Sequence, residues 1–265
     1  MKTINLFRKP GTESDAVHDR VRLFFAHRGY TLSRLYEDTA EYNIVIGGDG
    51  TFLRAVHSTN FSPIPFFGIN TGHLGFFQEV NTCDLDAHLK RLLDKQYEVH
   101  PQTLLGVHVE TSAWSYTLLA VNEFLVQSHD THILHLGVNI DDVDFINTSG
   151  DGLMFSTPAG STAYTLSAGG SILHQTLKGY QITALHPIRS KSFDSLPTSL
   201  VLPAESKTVV TVDENDSERI QLIGDGITHR FRGVKRFIFF VPDETIFRVI
   251  FQTNWYWKNL RDKLF

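Results

Sequence analysis

Cysteine is nearly absent. Cys83 is alone among 265 residues, so no internal disulfide can form, and the usage fits a reducing compartment. Long apolar runs are absent too: none approaches the roughly 18 residues a membrane span needs. The start, Met1-Lys2-Thr3-Ile4-Asn5-Leu6-Phe7-Arg8, has too short an apolar stretch for a secretory signal. Positive charge is not in excess, since 24 Lys and Arg against 29 Asp and Glu leave a formal charge of −5. That balance does not favour bulk electrostatic binding to nucleic acid or to an anionic membrane. No low-complexity segment and no repeat at a solenoid period occurs. The expectation is a soluble, cytoplasmic protein with neither nucleic acid nor membrane as partner.

Three familiar chemical signatures are missing. There is no G-x-x-x-x-G-K-[ST], so no Walker A loop. Gly48-x-Gly50 is not a dinucleotide fingerprint, because Leu53 stands where the third glycine belongs. No G-x-S-x-G elbow offers a serine nucleophile.

What is present is a globular mix, 42% hydrophobic and 20% charged, with 20 phenylalanines. Its length allows one large domain or two modest ones. The first hundred residues alternate strand and helix patterns. Thr3 to Phe7 is a short apolar run broken by Pro10-Gly11-Thr12. Val17, Val21, Phe24 and Phe25 recur at helical spacing before Gly29. Asn43 to Ile46 is β-branched and runs into Gly47-Gly48-Asp49-Gly50. A helical pattern follows through Phe52, Leu53 and Val56. Pro65 to Asn70 is a further apolar run, and Leu85, Leu89, Leu92 and Leu93 mark another helix. Such alternation predicts a mostly parallel, doubly wound sheet.

Beyond Tyr97 the character changes. Leu105–Val109, Tyr116–Val121, Phe124–Val126, Leu134–Ile140, Val209–Val212, Arg219–Ile223 and Phe237–Val241 are short β-rich runs. Helix is expected only over Gly160–Ala168, near Gln181 and over Asn254–Leu264. The fold class expected is therefore an α/β N-terminal domain with a mostly parallel sheet, plus a C-terminal β-rich, sandwich-like domain. The boundaries expected are 1–100 and 101–253, with the helix at 254–265 packing back on the first domain.

Gly-Asp-Gly occurs at residues 48–50, 150–152 and 224–226. Asp-Gly is a common turn pair, and for any single copy that explanation is strong. It is weaker for Asp49, which follows a buried-type strand and precedes a helix. Ligands bind at the carboxyl ends of strands in open α/β sheets. Glycines there let backbone N–H groups approach a phosphate, and the helix start favours negative charge. An aspartate in such a loop repels an anion unless it binds a metal or accepts a proton from a hydroxyl. Asp49 is thus a candidate base or metal-side carboxylate. A second dense segment, Gly152 to Ser167, supplies small residues, hydroxyls and the ring of Tyr164; it reads equally as a capped helix start after a proline turn. Asn122-Glu123, after an apolar run, suits hydrogen bonding to sugar hydroxyls. His129, His132 and His135 would share a face only on a helix, which their β-type neighbours oppose, so a metal site there is not expected.

These residues together resemble the NAD kinase family. Ile46 to Leu53 looks like its GGDGT motif, and Gly68-Ile69-Asn70-Thr71-Gly72-His73-Leu74-Gly75-Phe76 like its G-I-N-x-G-x-L-G-F motif. Asn122-Glu123 looks like its NE motif, and residues 150–170 like its glycine-rich signature. The resemblance implies transfer of a phosphoryl group from ATP to the 2′-hydroxyl of the adenosine ribose of NAD, giving NADP. It implies a divalent cation, usually magnesium, and a homodimer or homotetramer. By the same resemblance Asp49 matches the proposed base, and Gly47, Gly48, Gly50 and Thr51 form the phosphate loop. Phe76, Asn122, Glu123, Thr162, Ala163, Tyr164 and Ser167 match substrate-binding positions. Asp151 matches a dinucleotide contact, and Ala184 and Asp225 lie where further contacts are expected. Ser149 stands where some relatives carry a basic residue. GGDGT alone is shared with phosphofructokinases and lipid kinases, so a lipid kinase and a non-catalytic NAD(P) sensor are the alternative readings.

Overall fold

The computed structural model describes residues 2–33, 35–72, 75–188 and 195–264. His73 and Leu74 of the G-I-N-x-G-x-L-G-F segment lie outside them. The chain forms two compact units, one of residues 1–101 with 245–265 and the other of residues 102–244.

The first unit opens with β1 (Lys2–Arg8), α1 (Thr12–Ala26), β2 (Tyr30–Ser33), β3 (Asn43–Ile46), α2 (Asp49–Ser58), β4 (Phe66–Asn70), β5 (Val80–Asn81), α3 (Leu85–Leu93) and β6 (Glu98–Thr103). β1 pairs in parallel with both β2 and β3, and β3 with β4. Every residue of β3 and β4 is buried. That is the pattern of strands covered on both faces, and it is why they read as unbroken apolar runs. Side chains of a strand alternate between faces. Phe67 and Ile69 enter the core formed with Val17, Val21 and Phe25 of α1 and with Leu85, Leu89 and Leu92 of α3. Phe66 faces the other way, 5.4 Å from the Phe52 ring of α2. The chain runs from β1 outward to β2 and then returns to β3 on the opposite side of β1. The strand order therefore reverses between β1 and β3, and Gly47-Gly48-Asp49 lies at the carboxyl end of β3, where such sheets bind ligands.

The second unit contains β7 (Leu105–Thr111), β8 (Ser115–Ala120), β9 (Glu123–Ser128), β10 (Leu134–Ile140), β11 (Val143–Gly150), β12 (Gly152–Ser156), the single turn α4 (Tyr164–Ser167), β13 (Gly179–Leu185), β14 (Leu200–Pro203), β15 (Thr208–Val212), β16 (Ile220–Gly224), β17 (Ile227–Arg230) and β18 (Val234–Phe240). The strands from β7 onward make two antiparallel sheets, ordered β11-β10-β15-β18-β7-β8 and β14-β13-β12-β9-β16-β17. One core joins their inner faces: Val107, Leu136, Val210 and Phe237 from the first meet Val126, Phe155, Ile182 and Leu222 from the second. Phe155 and Phe239 stack at 3.7 Å between ring centroids. This is a β-sandwich.

Two helix expectations fail here. The segment at Gln181 is β13, a strand paired on both sides by β12 and β14. Its Gln181 amide is satisfied by both the N–H and the C=O of Ser171, so the polar residue fits a fully buried strand. Gly160–Ala168 is not one helix. A 3-10 turn at Gly160–Thr162 is separated from α4 by Ala163, whose ψ of −136° breaks the helix.

The chain then returns to the first unit with β19 (Thr245–Ile250) and α5 (Trp255–Leu264). β19 lies beside β4, in parallel, and continues the sheet to β6. Residues 245–253, read from sequence as part of the second domain, thus complete the first unit.

Candidate active site

The singled-out residues gather in two groups, one in each unit. In the first unit, Gly47 has φ of +151°, and a Cβ there would overlap the side chain of Thr51. Its N–H donates to Ile69 O at 2.9 Å, tying the loop to β4. Gly48 is the N-cap of α2, and its carbonyl accepts from Thr51 and Phe52. Asp49 begins the helix, where the dipole favours its charge.

The Asp49 carboxylate is fixed by the loop after β4. Phe76 N–H donates to both of its oxygens, at 2.8 and 2.9 Å, and Phe77 N–H donates to Oδ1 at 3.0 Å. Phe52, one turn along the same helix face as Asp49, stacks on Phe77 at 4.5 Å and 3° between planes. That stack aligns the loop's N–H groups with the carboxylate. The loop's carbonyls are held from the other side: Asn259 of α5 donates to Gly75 O at 2.9 Å, and Arg248 of β19 donates to Phe77 O at 3.2 Å. A Cβ on Gly75 would run into Asp49 Oδ1 and Gln78 Oε1, so only glycine lets the loop approach this closely. Arg248 is 1% exposed, and burial lowers its pKa to about 10 against the opposing pull of Glu79 and Asp49. Burial also pushes the Glu79 carboxyl up from its ordinary value. Lys263 of α5 places its Nζ 3.9 Å from Asp49 Oδ2 and 4.2 Å from the centroid of the Phe76 ring.

In the second unit Asp225 organises the second group. Its carboxylate accepts from the N–H groups of Val121 at 2.8 Å, Asn122 at 2.7 Å and, weakly, Glu123 at 3.4 Å. From the other side Thr157 donates its hydroxyl to Val121 O at 2.6 Å and its N–H to Asn122 O at 2.9 Å. The turn at 121–123 is therefore clamped through both N–H and C=O groups. Asn122 Oδ1 and Glu123 Oε2 are buried without a hydrogen-bond partner among the described residues. Burial, with the charge of Asp225 second, raises the Glu123 pKa to about 8. A buried carboxyl and amide oxygen left open in this way are acceptors suited to donors from outside the chain, such as sugar hydroxyls. Asp225, expected as a ligand contact, is engaged by the backbone of its own unit.

Thr162 and Ala163 are half-buried, whereas Tyr164 and Ser167 are exposed. At 53% exposure the Tyr164 ring is free to take a stacking partner. Asp151 pairs with His186 Nδ1 at 2.7 Å in the open. Ala184 lies opposite Leu153 on β13. Among the described residues no group of three or more His, Cys, Asp or Glu side chains is placed to hold a metal ion. The donor set among the described residues therefore makes no resident cation cage. Asn259, Arg248 and Lys263 were not foreseen. Residues 254–265 read as a helix packing back on the first domain, and nothing local in them points to Asp49.

Residues 11–97 match the family model for the ATP-NAD kinase N-terminal domain, and residues 121–230 that for the ATP-NAD kinase C-terminal domain. The chain is similar to an NAD kinase of Finegoldia magna, 39% identical over 99% of this chain and 97% of that one. It is also similar to one of Lysinibacillus sphaericus, 34% identical over 85% and 86%. Among solved structures, yeast NADH kinase complexed with NADH superposes with a TM-score of 0.84 at 21% identity, covering 100% of this chain and 87% of that one. The Archaeoglobus fulgidus NAD kinase in complex with ATP gives 0.78 at 24% identity, over 99% and 98%. Both share the fold. With both family models matched and a near full-length relative at 39% identity, the chain belongs to the NAD kinase family.

Proposed function

We propose that this protein is an ATP-dependent NAD kinase, moving the γ-phosphoryl group of ATP to the 2′-hydroxyl of the adenosine ribose of NAD to give ADP and NADP. The observation that carries the reading is Asp49: a carboxylate at a helix start after a glycine turn, held in place by the N–H groups of Phe76 and Phe77. Pure phosphate binding gains nothing from a carboxylate there, whereas a phosphoryl acceptor with a hydroxyl needs one.

Phosphoryl transfer passes through a loose transition state, so catalysis is mostly positioning and charge neutralisation. A carboxylate is too weak a base to take a sugar proton before bond formation. Asp49 instead orients the 2′-hydroxyl and accepts its proton as the new O–P bond forms. The bond from the γ-phosphorus to the β–γ bridging oxygen breaks in the same event, and its electron pair leaves with ADP. The backbone at Gly47, Gly48, Gly50 and Thr51 receives phosphate. Asn122 and Glu123 receive ribose hydroxyls, with Asp225 and Thr157 holding their turn. Thr162, Ala163, Tyr164 and Ser167 line the base, with Phe76, Asp151 and Ala184 as further contacts. Magnesium, if bound with ATP, would offset phosphate charge. The expected location is the cytoplasm, and the expected assembly is a homodimer or homotetramer.

The test is NADP formation from NAD, ATP and magnesium, with wild type beside Asp49→Asn. The variant is expected to bind NAD nearly normally and lose most turnover. Equal loss of binding and rate would assign Asp49 a structural role, and no activity in wild type would remove the reading.

A further inference from the structure

We propose that Lys263 is a positioning residue of the Asp49 centre, its fixed positive charge offsetting the repulsion between the Asp49 carboxylate and the phosphates of ATP. The inference rests on the kinase reading above and addresses its main electrostatic difficulty, an anion built into a loop that must receive anions.

Lys263 Nζ lies 3.9 Å from Asp49 Oδ2. That is within ion-pair distance of the carboxylate. The separation is longer than a hydrogen bond, so the ammonium is a neighbouring charge whose donors remain available. Asp49 is already held by Phe76 and Phe77 N–H groups; its geometry does not require the lysine. What the lysine supplies is charge.

Its placement is built. Phe76, Tyr256, Leu260 and Leu264 form a small apolar cluster, and the ammonium sits 4.2 Å over the Phe76 ring. The Lys263 side chain is 22% exposed. That burial disfavours the charged form, with Asp49 pulling the other way. A lysine on a helix end ordinarily extends into water; this one gives up hydration beside a carboxylate. Two other cations lie near the loop: Arg248 is buried, donates to Phe77 O and feels the charge of Asp49 from there, and Arg54 reaches back to Thr51 Oγ1 at 3.2 Å. Lys263 differs from Arg248 in keeping partial exposure. Lys263 keeps its protons throughout: the 2′-hydroxyl proton still goes to Asp49, and the electron pair still leaves with ADP.

The experiment compares Lys263→Met, which keeps the aliphatic length over Phe76, with Lys263→Arg, which keeps the charge. The readouts are steady-state kinetics and calorimetric ATP affinity in the presence of magnesium. Lys263→Met is expected to raise KM for ATP and weaken ATP binding by about tenfold, with KM for NAD changed by less than about twofold; Lys263→Arg restores ATP binding to within about threefold. If the lysine acts through Asp49, its removal in an Asp49→Asn background costs less than about twofold in ATP affinity, because no repulsion remains to offset. Wild-type ATP binding in Lys263→Met overturns the inference. So does a parallel loss for NAD and ATP that arginine does not rescue, the signature of a packing role. A wild type that forms no NADP overturns the kinase reading and this inference with it. Should the Met variant prove unstable, Lys263→Gln supplies the same comparison.

Discussion

Replacing Asp225 by Asn probes the clamp on the 121–123 turn. Asp225 has φ of +48°, a conformation that asparagine tolerates and alanine does not. The Asn change therefore isolates the charge and its hydrogen bonds from backbone strain. The carboxylate accepts two short N–H bonds, from Val121 at 2.8 Å and Asn122 at 2.7 Å. An asparagine can accept with one oxygen only and turns an NH2 group toward the other donor. One charge-assisted bond is lost and a buried N–H is left unpaired, at about 2–3 kcal/mol. For an unfolding unit of this size that is a fall in Tm of roughly 4–12 °C. A compensating effect opposes it: Asp225 is a like charge beside Glu123, so its removal eases ionisation of Glu123. The loss should be largest at pH 6, where Glu123 is protonated, and smaller at pH 9. Thermal unfolding of the ligand-free protein by circular dichroism, at both pH values, reads this directly. A variant melting within about 1 °C of wild type at pH 6 would refute the reasoning, because the clamp would then contribute nothing.

Two further outcomes follow from the same structure. The Glu123 carboxyl has a folded pKa of about 8 against an ordinary 4.5. The folded state thus holds a proton that the unfolded state releases, and the contribution is fully present below 4.5 and is lost as pH rises through 8. Glu123→Gln, which cannot ionise, should therefore be more stable than wild type at pH 9 and lose that advantage on titration toward pH 5; parallel denaturation curves across the range would sink the assignment. Gly75→Ala places a methyl group against Asp49 Oδ1 and Gln78 Oε1. Overpacking of that kind costs about 1–3 kcal/mol, and displacement of the Asp49 carboxylate should lower kcat by at least about tenfold; unchanged turnover would show that the loop need not approach so closely.

The parallel sheet was legible because β3 and β4 are buried on both faces, so their residues must be apolar without interruption. Asp49 was legible because a strand, glycines and a helix start adjoin it in sequence. The sandwich was legible as a succession of short β-branched runs. Gln181 misled because its amide is satisfied by Ser171, a pairing ten residues away that no local pattern displays. Asp225 read as an Asp-Gly turn and, by resemblance, as a ligand contact; its two short bonds reach back more than a hundred residues, to Val121 and Asn122, and no local pattern displays them. Lys263 and Arg248 were invisible for the same reason. Each meets the Asp49 loop only because β19 and α5 rejoin the first unit, and side chains brought together by topology leave no spacing to read.

That return of the chain has a consequence for synthesis. About 140 residues of the second unit separate Pro101 from Thr245. At ordinary elongation rates of 5–20 residues per second, roughly 7–30 s pass between emergence of the two parts of the first unit. During that interval β4 has no β19 at its side, and the loop that fixes Asp49 lacks Arg248, Asn259 and Lys263. The second unit is contiguous and can finish folding first, while the half-made sheet waits with an open edge. The Asp49 loop is thus completed only once residues 245–264 join it, and a chain released before them would carry Asp49 with its Phe76 and Phe77 donors but without the side chains that brace the loop's carbonyls.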